Sequence, residues 1–326
     1  MSDVAIRAAV SKATVSHVIN NTRFVEEETK QRVLQAIAEL DYRPNAAARS
    51  LTTHRTRCIG MVISDATNLF FGEMLRGVEE ILRPQNYGLI LCNTDEVLEL
   101  ESHYLDLLLS QPVDGIIAAA TSQRWSALAE AEVQHTPIVF VDRAFEHLEG
   151  PYVGVNNQQG AYLGTKHLIE RGCRRIGIVA GLPRLSTMRE RLAGFRQALD
   201  ERGILLADEW VTPCELSIEA GRAATNRLLA SPARPDALFV NNNLLSLGAL
   251  LALRDQGLRC PEDVALVGFD DHPWAAVSNP PLTVISQPAR QVGQMAARLL
   301  FDLLNGREPE QLRIILDCEL IVRESS

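Results

Sequence analysis

Two hydrophobic rhythms divide the chain. From position 58 onward, short apolar runs alternate with longer stretches in which apolar residues recur every three or four positions. The runs at 58–64, 88–92, 115–120, 137–141, 175–180, 236–240 and 264–268 have strand length, and the stretches at 71–85, 98–110, 160–172, 190–202 and 245–256 have the helical period. Strands buried on both faces read as continuous apolar runs, and their alternation with helices predicts parallel sheets covered by helices. A single core stops growing near the size of residues 58–326, so two successive sheets fit this stretch better than one.

Ahead of it, residues 1–44 predict three short helices at 3–9, 12–20 and 26–40. Ser11 suits the N-cap of the second, and Pro44 stops the third because the residue before a proline disfavours the helical region. Residues 45–57 offer one short helical turn and a polar linker, too little to hold a core.

Composition refines this picture. A hydrophobic fraction of 46% with 22% charged residues is globular, and 5% aromatics makes the core aliphatic. The net charge of −9 argues against a nucleic-acid binder until it is resolved along the chain. Through Arg57 there are nine Lys/Arg against six Asp/Glu, which leaves a basic head on an acidic body. The six cysteines are scattered with no C-x-x-C pair, which predicts free thiols in a reducing cytoplasm and no metal site. No signal peptide and no apolar run of membrane-spanning length is visible.

The first chemistry lies in 10–20. Val15, Val18 and Ile19 form one apolar face. Lys12, Ala13, Thr14, Ser16 and His17 are left near the helix start, where short side chains can approach base edges and the helix terminus favours phosphate. Alone, the same stretch also fits a small solvated surface helix. The run from Val10 to Asn20, followed by Thr22-Arg23-Phe24-Val25, Glu39-Leu40, Tyr42, Pro44 and Ala48-Arg49-Ser50-Leu51, resembles the head of the lactose-repressor (LacI/GalR) family, closest in pattern to its ribose and purine repressors. The resemblance implies base-reading positions for Lys12, Ala13 and His17. It implies backbone-contacting or supporting ones for Ser11, Thr14, Ser16 and Arg23. It makes Leu51 an apolar wedge in the minor groove, with Arg49 near the phosphates. Ala8-Ala9 departs from the Ala-Gly or Ala-Asn often found there, a mild change to the turn, and the later start of the chain would weaken an N-terminal phosphate contact.

The resemblance continues to about Arg323. It implies a helix-turn-helix head (1–44), a hinge helix and linker (45–57), and a periplasmic-binding-protein-like α/β body (58–326) of two doubly wound parallel-sheet subdomains. The first subdomain would take 58–157 and 287–316, and the second 158–286 and 317–326. An effector cleft between them would use Asn68, Phe70, Phe71, Asp142, Arg143, Thr187, Arg191, Leu216, Asn242, Asp270 and Gln287. Each has a plainer reading: Phe70 and Phe71 as core, Asp142-Arg143 as a surface ion pair, Asn242 as a turn, Asp270 or Asp271 as a helix cap. Together they fall at strand ends, where open parallel sheets bind ligands.

A small sugar, possibly a pentose such as ribose, fits polar groups set beside Phe70 and Phe71. Leu216 replaces a stacking Phe, and Ala118 to Ala120 stand where an Asn is common. The contacts of purine repressors are reduced to Thr187 and Arg191, with Arg143, Leu185 and Leu216 departing. The expected protein is a homodimeric repressor of operator double-stranded DNA, switched by a sugar, with no cofactor, no metal, no catalytic residues and no membrane partner. The alternatives are a purine- or phosphosugar-responsive repressor, or a sugar-binding protein without a regulatory role. An enzyme is disfavoured, since no Gly-x-Ser-x-Gly elbow, P-loop, His-Glu-x-x-His or glycine fingerprint occurs.

Overall fold

A computed structural model of the chain describes residues 1–20, 23–42, 55–111, 113–120, 136–143 and 150–326. Two compact units emerge, Met1–Thr56 and Arg57–Ser326.

The first unit holds α1 (Ser2–Arg7), α2 (Lys12–Asn20) and α3 (Glu27–Glu39). Val4, Ala5 and Ala8 from α1 and its end, Val15 from α2, and Val33 and Ala36 from α3 close a small core. These positions recur at the helical spacing, which is why a three-helix packing can bury them at once. Ser11 caps α2, accepting a hydrogen bond from the Thr14 N–H at 3.0 Å. Ala9 and Asp41, just past the ends of α1 and α3, both have positive φ, at 53° and 42°.

The second unit contains two six-stranded sheets. The first joins β1 (Cys58–Ile63), β2 (Gly88–Asn93), β3 (Gly115–Ala118), β4 (Ile138–Val141), β5 (Tyr152–Val155) and β11 (Arg313–Leu316) in the order β11-β5-β4-β3-β1-β2, with every pairing parallel. The second joins β6 (Ile176–Val179), β7 (Val211–Thr212), β8 (Ala237–Val240), β9 (Ala265–Phe269), β10 (Thr283–Ser286) and β12 (Glu319–Ile321) in the order β12-β10-β9-β8-β6-β7. Only β12 runs antiparallel, on β10. In both sheets the chain first builds outward on one side of the starting strand and then on the other. Met61 pairs with Ile117 across the first reversal and Ile178 with Phe239 across the second. Such reversals open a crevice at the carboxyl ends of the strands. The chain crosses between the sheets after β5, after β10 and between β11 and β12.

Helices α4 (Leu69–Leu82), α5 (Leu98–Ser110) and α11 (Ala289–Leu304) accompany the first sheet. Helices α6 (Asn157–Glu170), α7 (Ser186–Asp200), α8 (Ile218–Leu229), α9 (Asn243–Asp255) and the short α10 (Pro273–Val277) accompany the second. Two close crossings fix the helices that carry site residues. A Cβ added at Gly77 of α4 would lie 2.0 Å from the Arg290 carbonyl oxygen, and one at Gly293 of α11 2.0 Å from that of Met74. A Cβ at Gly194 of α7 would lie 1.9 Å from the Gln158 carbonyl oxygen of α6. Side chains at these points would force the helices apart and displace the residues that start them.

All seven apolar runs are strands, within a residue or two. The pattern does not single out β5, β7, β10, β11 and β12, nor the helices α8, α10 and α11. Among the described residues, no helix is long and apolar enough to cross a membrane.

Candidate functional site

In the first unit, Val15 is fully buried while Val18 and Ile19 pack on the same core. That leaves Ser11, Lys12 and Ala13 exposed, Thr14, Ser16 and His17 half-buried, and Arg23 exposed beyond the helix. His17 stands one helical turn after Ala13, so the two share a face of α2. Ser11 and Thr14 engage each other at 2.9 Å, which holds both at the helix start. Arg49 and Leu51 lie outside the described residues.

In the second unit, one cleft between the two sheets is lined by every effector residue expected from the sequence. Its cavity measures about 70 Å³. It adjoins a wider opening of about 430 Å³ that shares Phe70, Asp270 and Gln287 and is walled by Leu69, Glu73 and His272.

The first sheet contributes Asn68, which caps α4 by accepting the Phe70 N–H at 3.1 Å. Phe70 and Phe71 belong to the core and to the cleft wall at once, edge to face with ring centroids 5.2 Å apart. Asp142 and Arg143 follow β4 and are buried, not a surface pair. Arg143 Nε lies 3.4 Å from Asp142 Oδ2, and its two terminal nitrogens donate to Glu96 at 2.6 Å each. Glu96 carries no signal of its own in the sequence. It follows β2 in a turn whose chemistry is visible only once Arg143 is placed opposite.

The second sheet contributes Thr187 and Arg191 from α7, with Leu216 before α8. Arg191 is buried, its guanidinium 3.6 Å from the centroid of the Phe269 ring. Its Nε donates to Asn157 Oδ1 at 2.8 Å and its Nη1 to the Asn241 carbonyl at 2.5 Å. Three consecutive asparagines divide three tasks. Asn241 Nδ2 donates to the Ala180 carbonyl at 2.6 Å, and Asn242 caps α9 through the Leu245 N–H at 2.8 Å while also lining the cleft. Asn243, missed because the run reads as a turn, bridges the subdomains: its Nδ2 donates to Asn68 Oδ1 at 2.9 Å and lies 3.2 Å from Asp270 Oδ2 and 2.7 Å from His272 Nε2. Asp270 follows β9 and also accepts from Gln287 Nε2. It does not cap α10, whose N-cap position belongs to His272.

Charge in the cleft is unbalanced toward acid. Asp65, Glu96, Asp142 and Asp270 face Arg143 and Arg191. Burial pushes the Asp142 carboxyl up to about 6, against the pull of Arg143 and Arg191 and with help from Asp270 and Glu96. Burial would raise Glu96 as well, but the hydrogen bonds and charge of Arg143 outweigh it and hold Glu96 below the usual carboxylate range. Burial lowers Arg191, countered by Asp270 and Asp142. Polar groups of both signs, set against two phenyl rings, can exchange several hydroxyl hydrogen bonds with a small ligand. Among the described residues, no three His, Cys, Asp or Glu side chains converge as a metal site.

Comparison with known proteins identifies this architecture. Residues 1–45 match the bacterial regulatory proteins of the lacI family, and residues 165–326 match the periplasmic binding protein-like domain. The HTH-type transcriptional repressor PurR of Aliivibrio salmonicida is 37% identical over 326 residues, covering 100% of this chain and 98% of its own. The chain belongs to the lacI family. It is a DNA-binding transcriptional repressor, and its body has that family's fold. Among solved lacI-family structures, the lac repressor dimer bound to operator and the anti-inducer ONPF superposes with a TM-score of 0.89 at 27% identity, over 99% of this chain and 97% of that one. A lacI-family regulator from Enterococcus faecium with bound ribose superposes with a TM-score of 0.75 at 31% identity, over 82% of this chain and 98% of that one. The effectors named for these relatives differ, so family membership alone does not choose one for this repressor.

Proposed function

We propose that this lacI-family repressor is switched by a small neutral sugar, most simply a pentose such as ribose, bound between the two subdomains. The observation that carries the reading is the convergence of Asp142, Arg143, Arg191, Asn242, Asp270 and Gln287 on one cleft beside Phe70 and Phe71. Four carboxylates against two guanidinium groups disfavour an anionic ligand, and so a phosphosugar. The relative with bound ribose supports the pentose.

The head reads operator DNA through Lys12, Ala13 and His17, with Ser11, Thr14, Ser16 and Arg23 supporting or meeting phosphate. Two heads of a homodimer, acting in the cytoplasm, engage a near-palindromic site. A hinge at 45–57, with Leu51 as a minor-groove wedge and Arg49 beside it, carries the switch: closing the cleft moves the subdomains that the hinges leave, and a marginal helix responds.

Identity to PurR supports a second reading, a purine effector. Leu216 and Leu185 stand where purine repressors carry aromatic and Arg contacts, which favours the sugar. The test is calorimetry with pentoses, hexoses, their phosphates and purines, paired with operator gel shifts. Ribose binding that changes operator affinity is the expected result. Tight binding of hypoxanthine or guanine with none of ribose overturns it.

A further inference from the structure

The best-formed ion pair in the cleft is that of Arg143 with Glu96, a residue counted above only as one of four carboxylates. Glu96 is not on a regular element. It follows β2 in a turn where Asp95 and Glu96 have φ of 49° and 61° in succession. Side chains with a Cβ seldom adopt this left-handed conformation, and two in a row persist only where the surroundings impose them. Asn93 Nδ2 donates to Asp95 Oδ1 at 2.6 Å, the Thr94 N–H to the Ile63 carbonyl at 2.9 Å, and the Val97 N–H to the Thr94 carbonyl at 2.8 Å. The turn is therefore pinned to the end of β1. Its outcome is a carboxylate that meets both terminal nitrogens of the buried Arg143 at 2.6 Å.

A guanidinium is the side chain best shaped to seize a phosphate or carboxylate in two parallel hydrogen bonds. In this cleft that fork is already filled from within. We infer that Glu96 is a specificity-determining residue: by committing the Arg143 fork to an internal ion pair, it bars anionic ligands from the cleft and leaves it to neutral hydroxyl compounds. Arg191 offers no substitute anchor, because its Nε and Nη1 are held by Asn157 and Asn241. The remaining N–H groups of Arg143 can still donate to hydroxyls, which need no net charge opposite them. The inference rests on the sugar reading of the cleft.

The test compares ribose with ribose 5-phosphate by calorimetry on the full-length protein, as wild type, Glu96→Gln and Glu96→Asp. Wild type should prefer ribose at least tenfold. Glu96→Gln keeps the size of the side chain and one acceptor but leaves the terminal nitrogens of Arg143 without their carboxylate, and should cut that preference at least fivefold in favour of the phosphate. Glu96→Asp keeps the charge and should keep the preference within about threefold. A purely structural role for Glu96 would lower both affinities and leave their ratio unmoved. A wild type that binds the phosphate as tightly as ribose overturns the inference, as does a folded Glu96→Gln with the wild-type ratio. Should Glu96→Gln fail to fold, the wild-type and Glu96→Asp ratios decide, and loss of the preference in Glu96→Asp counts against the inference. A wild type that binds neither compound overturns the sugar reading and this role with it, whereas ribose binding with an unmoved ratio overturns this role alone.

Discussion

Asp142 and Asp270 are counterparts in the two subdomains. Each directly follows the fourth strand of its sheet, each is buried, and each has a positive φ, 62° and 79°. Each sends its N–H to the neighbouring strand region, Asp142 to the Val153 carbonyl at 3.2 Å and Asp270 to that of Ile285 at 2.8 Å. The same backbone twist thus aims a carboxylate into the cleft from both sides. Asp270 is supported by the amide groups of Asn243 and by Gln287, while Asp142 Oδ2 has the Arg143 Nε at 3.4 Å.

That difference predicts a pH dependence. With its folded value pushed up to about 6, Asp142 holds its proton more tightly in the folded than in the unfolded protein. The folded state therefore binds more protons between about pH 4 and 6, and stability falls as pH rises through that window and then levels off. Asp142→Asn removes the term, and its melting temperature relative to wild type should be higher at pH 7 than at pH 4. Two pKa units set an upper bound of roughly 3 kcal/mol on this difference. Melting curves at pH 4, 5, 6 and 7 check it, and a constant gap across the series would contradict it.

Arg191→Ala or Asp270→Ala should abolish the sugar response while operator binding persists. Arg191 ties Asn157, the Asn241 carbonyl and the Phe269 ring together, and its loss leaves buried acceptors without their donor. Removing one partner of a buried charged network costs about 3–5 kcal/mol, roughly ten- to seventyfold in affinity if half of it falls on the bound state. Calorimetry measures the loss, and a gel shift without sugar shows whether the head is intact. A variant that still releases or tightens on operator with wild-type sensitivity would remove Arg191 from the site.

The legible part of the molecule was what one residue type signals on its own. Runs such as Ile138–Val141 and Ala237–Val240 are strands buried on both faces, and their β-branched and aromatic residues mark them as strands. Arg313–Leu316 and Glu319–Ile321 lie at sheet edges with no buried residue, and three or four such residues carry no period. Val211–Thr212 is too short to carry any signal. The cleft followed the same division. Phe70, Asp142 and Asp270 stand at strand ends and could be read in register with a family pattern. Glu96 and Asn243 act on partners 47 and 175 positions away, and no local pattern announces such pairs.

Asn243→Ala should loosen the contact between the subdomains. Asn68 Oδ1 would keep the Phe70 N–H, and Asp270 Oδ2 would keep the Asn243 N–H, so no carboxylate or amide oxygen is orphaned. The loss is the bridging hydrogen bond to Asn68 and the side-chain contacts to Asp270 and His272, about 1–2 kcal/mol net. Sugar affinity should drop roughly five- to thirtyfold, with the melting temperature lowered by a few degrees. An unchanged affinity would mean that the bridge does not persist in the bound state.

His17→Ala should change base preference at a limited set of operator positions, by about 1–3 kcal/mol each, if the imidazole meets a base edge. A randomised-operator selection resolves this. A uniform loss across all sequences would assign His17 to phosphate positioning or to the packing of α2.

Ala9→Gly should stabilise the head. The end of α1 is a Schellman motif: the Val10 N–H returns to the Ala5 carbonyl at 3.0 Å and the Ala9 N–H to that of Ile6 at 3.2 Å. The motif requires a left-handed residue at Ala9, where φ is 53°. The body meets the same requirement after α6 and α9 with Gly172 and Gly257, at φ 99° and 67°. A Cβ in this conformation costs roughly 1–2 kcal/mol. The greater freedom of glycine in the unfolded chain returns about 0.4–1 kcal/mol of that. The net expectation is a gain of about 0.5–1 kcal/mol, read as slower hydrogen exchange of the Ala5 and Ala8 amides, which bond to the carbonyls of Met1 and Val4. Asp41 sits in the matching place after α3, with the Tyr42 N–H returning to the Ile37 carbonyl at 3.0 Å, so Asp41→Gly should add a similar increment. If Ala9→Gly leaves exchange unchanged or speeds it, the left-handed turn is not where the head stores its strain.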